Sequence, residues 1–126
     1  MVNSESLSLE TLTRLYLIKH HLFKKAKKTD IVTVIGDVCG LHAQAATTPY
    51  LSLWNRVEDF EDDLCCDEAL YKAKSLVKTW VMRGTLHVIP SADLVIYNRA
   101  LRRMWFEHHG RFMRAPDWPS KRKEGA

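Results

Sequence analysis

The chain has 126 residues, 46% of them hydrophobic, which suits one domain with one ordinary core. No apolar run approaches a bilayer span, and Met1 to Ser8 is polar with no apolar signal region after it, so no membrane segment is expected and the expectation is a soluble cytoplasmic protein. The net charge of +4 hides a segregation: seven of the fifteen acids lie between Glu58 and Glu68, where no Lys or Arg occurs, so the remainder of the chain carries about +11.

Such segregation suits a polyanion-binding face, and it equally suits solvated helix faces followed by a basic tail. Cys39, Cys65 and Cys66 are odd in number, and their spacing fits neither a metal site nor a disulfide framework. They read as reduced thiols.

Ser8 is placed to cap a first helix, with Glu10 in its first turn and Leu12, Leu15, Tyr16, Leu22 and Phe23 near helical spacing, as far as Lys24, Lys25, Lys27 and Lys28. Thr29 or Asp30 would cap a second helix, whose Ile31, Val34, Ile35 and Val38 follow i, i+3, i+4, i+7 up to a stop at Gly40. Leu41 to Thr47 reads as a connector. Thr48-Pro49 opens a third helix to about Val57, with Tyr50, Leu53, Trp54 and Val57 inward and Ser52, Asn55 and Arg56 outward.

After the acidic stretch and a short helical segment near Asp67 to Lys74 comes SLVKTWVMRGTLHVIP, Ser75 to Pro90. Its Val, Thr, Trp, Leu and Ile content and the Arg83-Gly84 pair predict a β-hairpin closed by a two-residue turn. Pairing Met82 with Thr85 would place Val77, Thr79, Val81, Leu86 and Val88 on a core face. Lys78, Trp80, Met82, Thr85, His87 and Ile89 would share the other face, with His87 opposite Trp80. Ser91 would cap a last helix ending near Gly110, and residues 111–126, with Lys121-Arg122-Lys123, read as a basic flexible tail.

Three helices and then a hairpin is the order of a winged helix, an α+β and mainly helical fold, here over residues 1–110. Helix-turn-helix logic puts the third helix in the major groove of double-stranded DNA. Ser52, Asn55 and Arg56 would then face bases or phosphates, and Lys78, Arg83 and His87 would bring the wing to the backbone. His20-His21 and His108-His109 lack the spacing for a metal on one helix face, so no metal and no cofactor are expected.

The strings LSLETLTRLYLIKHHL, DVCGLHAQ, YLSLWNRV and LVKTWVMRGTLHVIP together resemble the opening segment of the AlkZ/YcaQ-like winged-helix proteins, over about Leu7 to Leu101. That bacterial family includes DNA glycosylases that excise bulky N-alkylated guanines and unhook interstrand crosslinks. Its members are much longer and stack several winged-helix units around a DNA channel, so the resemblance implies that downstream units are missing here. The family's signature is Gln-hydrophobic-Gln, or Gln-hydrophobic-Asp in one branch, and this chain has His42-Ala43-Gln44 at that place. Gln44 and Ala43 match, and His42 departs from the first position.

The resemblance therefore implies that His42 and Gln44 are catalytic. Such a reaction brings water to C1′ as the glycosidic bond breaks, and a neutral amide or an imidazole can orient that water. From the residues alone, His42 and Gln44 read instead as polar members of a connector bonded to nearby backbone. Little turnover is expected of one unit, which cannot enclose a reacting sugar. A non-catalytic winged-helix transcriptional regulator and a truncated interaction module are the alternatives.

Overall fold

The computed structural model describes residues 6–60 and 64–113. Ser8 accepts the Thr11 N–H on its side chain at 3.2 Å and opens α1 (Leu9–Lys19). The apolar residues that mark α1 by their spacing are not buried by it: Leu9, Leu12, Leu15, Tyr16 and Ile18 are all exposed, as are Leu22 and Phe23 beyond it. Helical periodicity reports that a face is apolar; it carries no information about what covers it.

A 3-10 turn, Lys28–Asp30, leads into α2 (Ile31–Asp37), whose Ile31, Val34 and Ile35 are buried as the periodicity predicts. Asp30 sits at its N-cap without a side-chain hydrogen bond to the helix. His21 Nε2 lies 2.8 Å from Asp37 Oδ2 and ties the segment after α1 to the end of α2. The chain then reverses through Cys39 (φ 59°) and Gly40 (φ 102°). Gly40 is required twice over: its φ is left-handed, and a Cβ there would meet Ile89 Cγ2 at 2.8 Å and Val88 O at 3.2 Å.

Leu41–His42 forms a strand, β1, where a connector was expected. The signal was short but present, because Leu41, His42, Ala43 and Gln44 alternate buried, exposed, buried, exposed. Next come α3 (Thr48–Trp54), with Pro49 in its first turn, and α4 (Leu64–Asp67), which continues as a π-helical turn over Glu68–Lys72. Leu53 and Val57 are buried as expected, but Trp54 is 57% exposed, with Lys25 Nζ 5.1 Å from its ring centroid. Tyr50 donates its hydroxyl to Asp67 Oδ1 at 2.9 Å and joins α3 to α4.

The hairpin is present as β2 (Leu76–Trp80) and β3 (Leu86–Pro90), and β3 lies centrally in an antiparallel sheet of order β1-β3-β2. Its register is one residue away from the expected one. Trp80 pairs with Leu86 and Thr79 with His87, because the loop holds three residues, Met82, Arg83 and Gly84, and Val81 N–H closes it on Thr85 O at 3.1 Å. Arg83 and Gly84 both take positive φ, 55° and 70°, and Met82 is drawn into the turn with them.

That shift reassigns the faces. Leu41, Leu76, Lys78, Trp80, Leu86 and Val88 share one side, and its inner members join Val34, Ile35, Leu53 and Val57 in the main core. His42, Val77, Thr79, His87 and Ile89 share the other. Lys78 and His87, expected on one face, are therefore on opposite faces.

The Ser91 hydroxyl donates to Lys74 O at 2.6 Å instead of capping α5 (Leu94–Met113), which runs past the expected stop at Gly110. Residues 114–126, most of the expected tail, lie outside the described residues. The Tyr97 hydroxyl donates to Cys39 O at 2.9 Å and fastens α5 to the turn before β1. The fold is α+β, helix-rich, with a small antiparallel sheet: a winged helix. The short helical segment expected near Asp67 to Lys74 is α4 with its π-helical turn, Leu64–Lys72, and it lies between α3 and the hairpin.

Candidate functional site

The site is built on β1. Along β1 and the two residues after it, Leu41 and Ala43 enter the core while His42 and Gln44 stay exposed two positions apart. Ala43 N–H donates to Leu86 O at 2.8 Å, which carries the pairing with β3 beyond His42. Gln44 Oε1 sits 3.5 Å from Leu86 N, so the amide leans on the strand through its oxygen.

Across from His42 in the ladder is His87, only 7% exposed. The two rings are nearly perpendicular, at 83°, with centroids 5.3 Å apart. His87 Nδ1 lies 3.0 Å from Thr85 O and 3.4 Å from Thr85 Oγ1, and that hydroxyl donates to Met82 O at 2.9 Å. The expected partner of His87 was Trp80; the observed ones are Thr79 across β2, His42 across β1, and Thr85. The His42–His87 contact went unrecognised in the sequence because it needs β1 to pair with β3, and that segment read as a connector; Thr85, two residues before His87, was expected on the same face but not as its hydrogen-bond partner.

The remaining candidates do not converge on this point. Arg83 is exposed at the tip of the wing. Lys78 is exposed on the opposite sheet face from His42. Asn55, exposed just past α3, donates its NH2 to Leu51 O at 3.0 Å. Arg56 is half-buried: Nη1 donates to Ser52 O at 2.9 Å, and Nε is buried without a hydrogen-bond partner among the described residues. These bonds cap carbonyls at the C-terminus of α3 with one donor from each side chain.

Among the described residues no group of three or more His, Cys, Asp or Glu is arranged to hold a metal ion. No described helix is long and apolar enough to cross a membrane. An amide and an imidazole exposed side by side at a sheet edge can orient a water molecule or a polar backbone group.

The DNA glycosylase AlkZ-like family matches residues 35–124, which include β1, the hairpin and every candidate residue above. The chain belongs to this family. Among solved structures, the Streptomyces sahachiroi DNA glycosylase AlkZ is similar, with a TM-score of 0.66 and 23% identity, over 84% of this chain and 30% of that one. That likeness carries the fold, and the present chain spans under a third of that protein's length. No curated protein matches the chain by sequence. The AlkZ-like match runs on to residue 124, which corrects the expectation that the resemblance stops near Leu101, and it begins at Ile35, beyond α1.

Proposed function

We propose that this chain is a DNA-binding unit of an AlkZ-like glycosylase, in which His42 and Gln44 position a water at C1′ of an N-alkylated purine nucleotide in duplex DNA. The observation that carries this reading is the alternation over Leu41 to Gln44, which leaves both side chains exposed at the positions where the resemblance puts the Gln-hydrophobic-Gln signature. N7-alkylguanine is a cationic leaving group, so it departs as a neutral base when the glycosidic electron pair moves onto it, and no strong acid is needed. The water then adds at C1′ and gives up its proton to His42 or to solvent, leaving an abasic sugar. Release of crosslinked purines follows the same bond cleavage.

DNA is held at the wing, with Arg83 on a phosphate, Asn55, Ser52 and Arg56 along the end of α3, and Lys78 reaching from the outer edge of the sheet. His87 is too buried to touch DNA itself and acts through its neighbours. A second observation favours assembly: α1 presents a wide unburied apolar surface, as a unit would if further winged-helix units packed on it. The test is incubation of the chain in excess over a duplex containing N7-alkylguanine, measuring free base and abasic sites. Release above the uncatalysed background is expected, and it should disappear when His42 and Gln44 are both replaced by Ala; release that survives the double replacement refutes the site.

A further inference from the structure

We infer that His87 is the positioning residue for His42, a buried imidazole locked by Thr85 that holds the exposed ring at the reaction site. This rests on the assignment of His42 and Gln44 given above. The lock follows from hydrogen-bond inventory. Thr85 Oγ1 donates its one proton to Met82 O, so that oxygen and Thr85 O, which lie 3.4 Å and 3.0 Å from His87 Nδ1, are both acceptors towards the ring. Two acceptors on one ring nitrogen require Nδ1 to carry the proton. At 7% exposure a flipped ring would strand that donor, so the plane of His87 is fixed from the wing turn.

His42 stands directly across the ladder, and no hydrogen bond holds its ring among the described residues. What restrains it is the perpendicular contact with His87, at a centroid separation of 5.3 Å. An exposed imidazole on a two-residue edge strand would otherwise sample its staggered rotamers freely, and a group that must hold water at a sugar carbon loses rate when it does. The chain of contacts Met82, Thr85, His87, His42 thus connects the turn that carries Arg83 to the proposed site.

The test uses the full chain with 15N-labelled histidine, comparing wild type with His87→Ala, His87→Phe and His87→Gln. Side-chain couplings and ring NOEs report the χ1 rotamer of His42, and single-turnover base release is measured as a function of protein concentration. One His42 rotamer is expected in wild type and in His87→Phe, which keeps the ring. Rotamer averaging is expected in His87→Ala and His87→Gln, with the limiting rate about tenfold lower and half-saturation unchanged. An ordered His42 in the variants without a ring, or averaging already in wild type, overturns the inference. If His87→Ala does not fold, the Phe and Gln variants decide. A rotamer pattern as expected without any base release in wild type would leave the positioning intact and refute the reaction assignment; His42-dependent release with an unchanged rotamer pattern would do the reverse.

Discussion

Tyr50 shows how one hydroxyl links packing to pH. Burial first, and then the Asp67 carboxylate that accepts its proton, push the hydroxyl well above the ordinary tyrosine range. A group whose folded pKa is raised gives its full stabilisation below the unfolded value, near about 10 for tyrosine, and loses it as pH climbs toward the folded value. Tyr50→Phe is therefore expected to cost about 1 kcal/mol at neutral pH and to flatten the fall in melting temperature above about pH 10. Melts at neutral and alkaline pH check both parts. The flattening should be partial, because the Tyr97 hydroxyl is also raised, chiefly by burial.

Among the elements, α1 and α3 are opposites. α3 inserts Leu53 into the core at 0% exposure, so Leu53→Ala should cost about 2–5 kcal/mol. On α1, Leu12→Ala and Tyr16→Ala should shift stability by no more than about 0.5 kcal/mol, since both side chains are about half exposed. Urea unfolding of the three variants separates the cases, and a large loss from the α1 substitutions would show that the helix is buried in solution.

Much of the architecture was legible as periodicity: Ile31, Val34 and Ile35 mark α2, and the β-rich hairpin flanks a Gly turn. Three things were not. The hairpin register hinged on whether Met82 belongs to a strand or the turn, and positive φ at Arg83 and Gly84 is compatible with either. A two-residue strand, β1, gives too short an alternation to separate it from a connector. The partner of α1 is not encoded in its own periodicity. Of the site, positions 42 and 44 were readable only through family resemblance, and the His42–His87 contact only through the pairing of β1 with β3.

Across the whole molecule, the basic excess lies outside Glu58–Glu68, and the wing places Arg83 at its far tip. Arg83 already occupies left-handed backbone at φ 55°, so Arg83→Gly removes the charge while keeping the turn, and by relieving that conformation should leave stability unchanged or raise it by up to about 1 kcal/mol. If the wing binds a phosphate, duplex affinity should fall, and the slope of log affinity against log salt should drop by about one. Fluorescence anisotropy across a salt series reads both, and an unchanged slope would remove Arg83 from the interface.

The claim on which the rest turns is that His42 and Gln44 act together on one water at the sugar. Single-turnover base release from a duplex with one N7-alkylguanine, measured for wild type, His42→Ala, Gln44→Ala and the double variant, addresses it directly. Each single replacement should lower the rate at least about tenfold, and the double replacement should lie near the worse single one, as groups acting as a unit do. Rates unaltered by either replacement, or tight duplex binding by the wild-type chain with no base released at all, would contradict it and leave a DNA-binding winged helix without this chemistry.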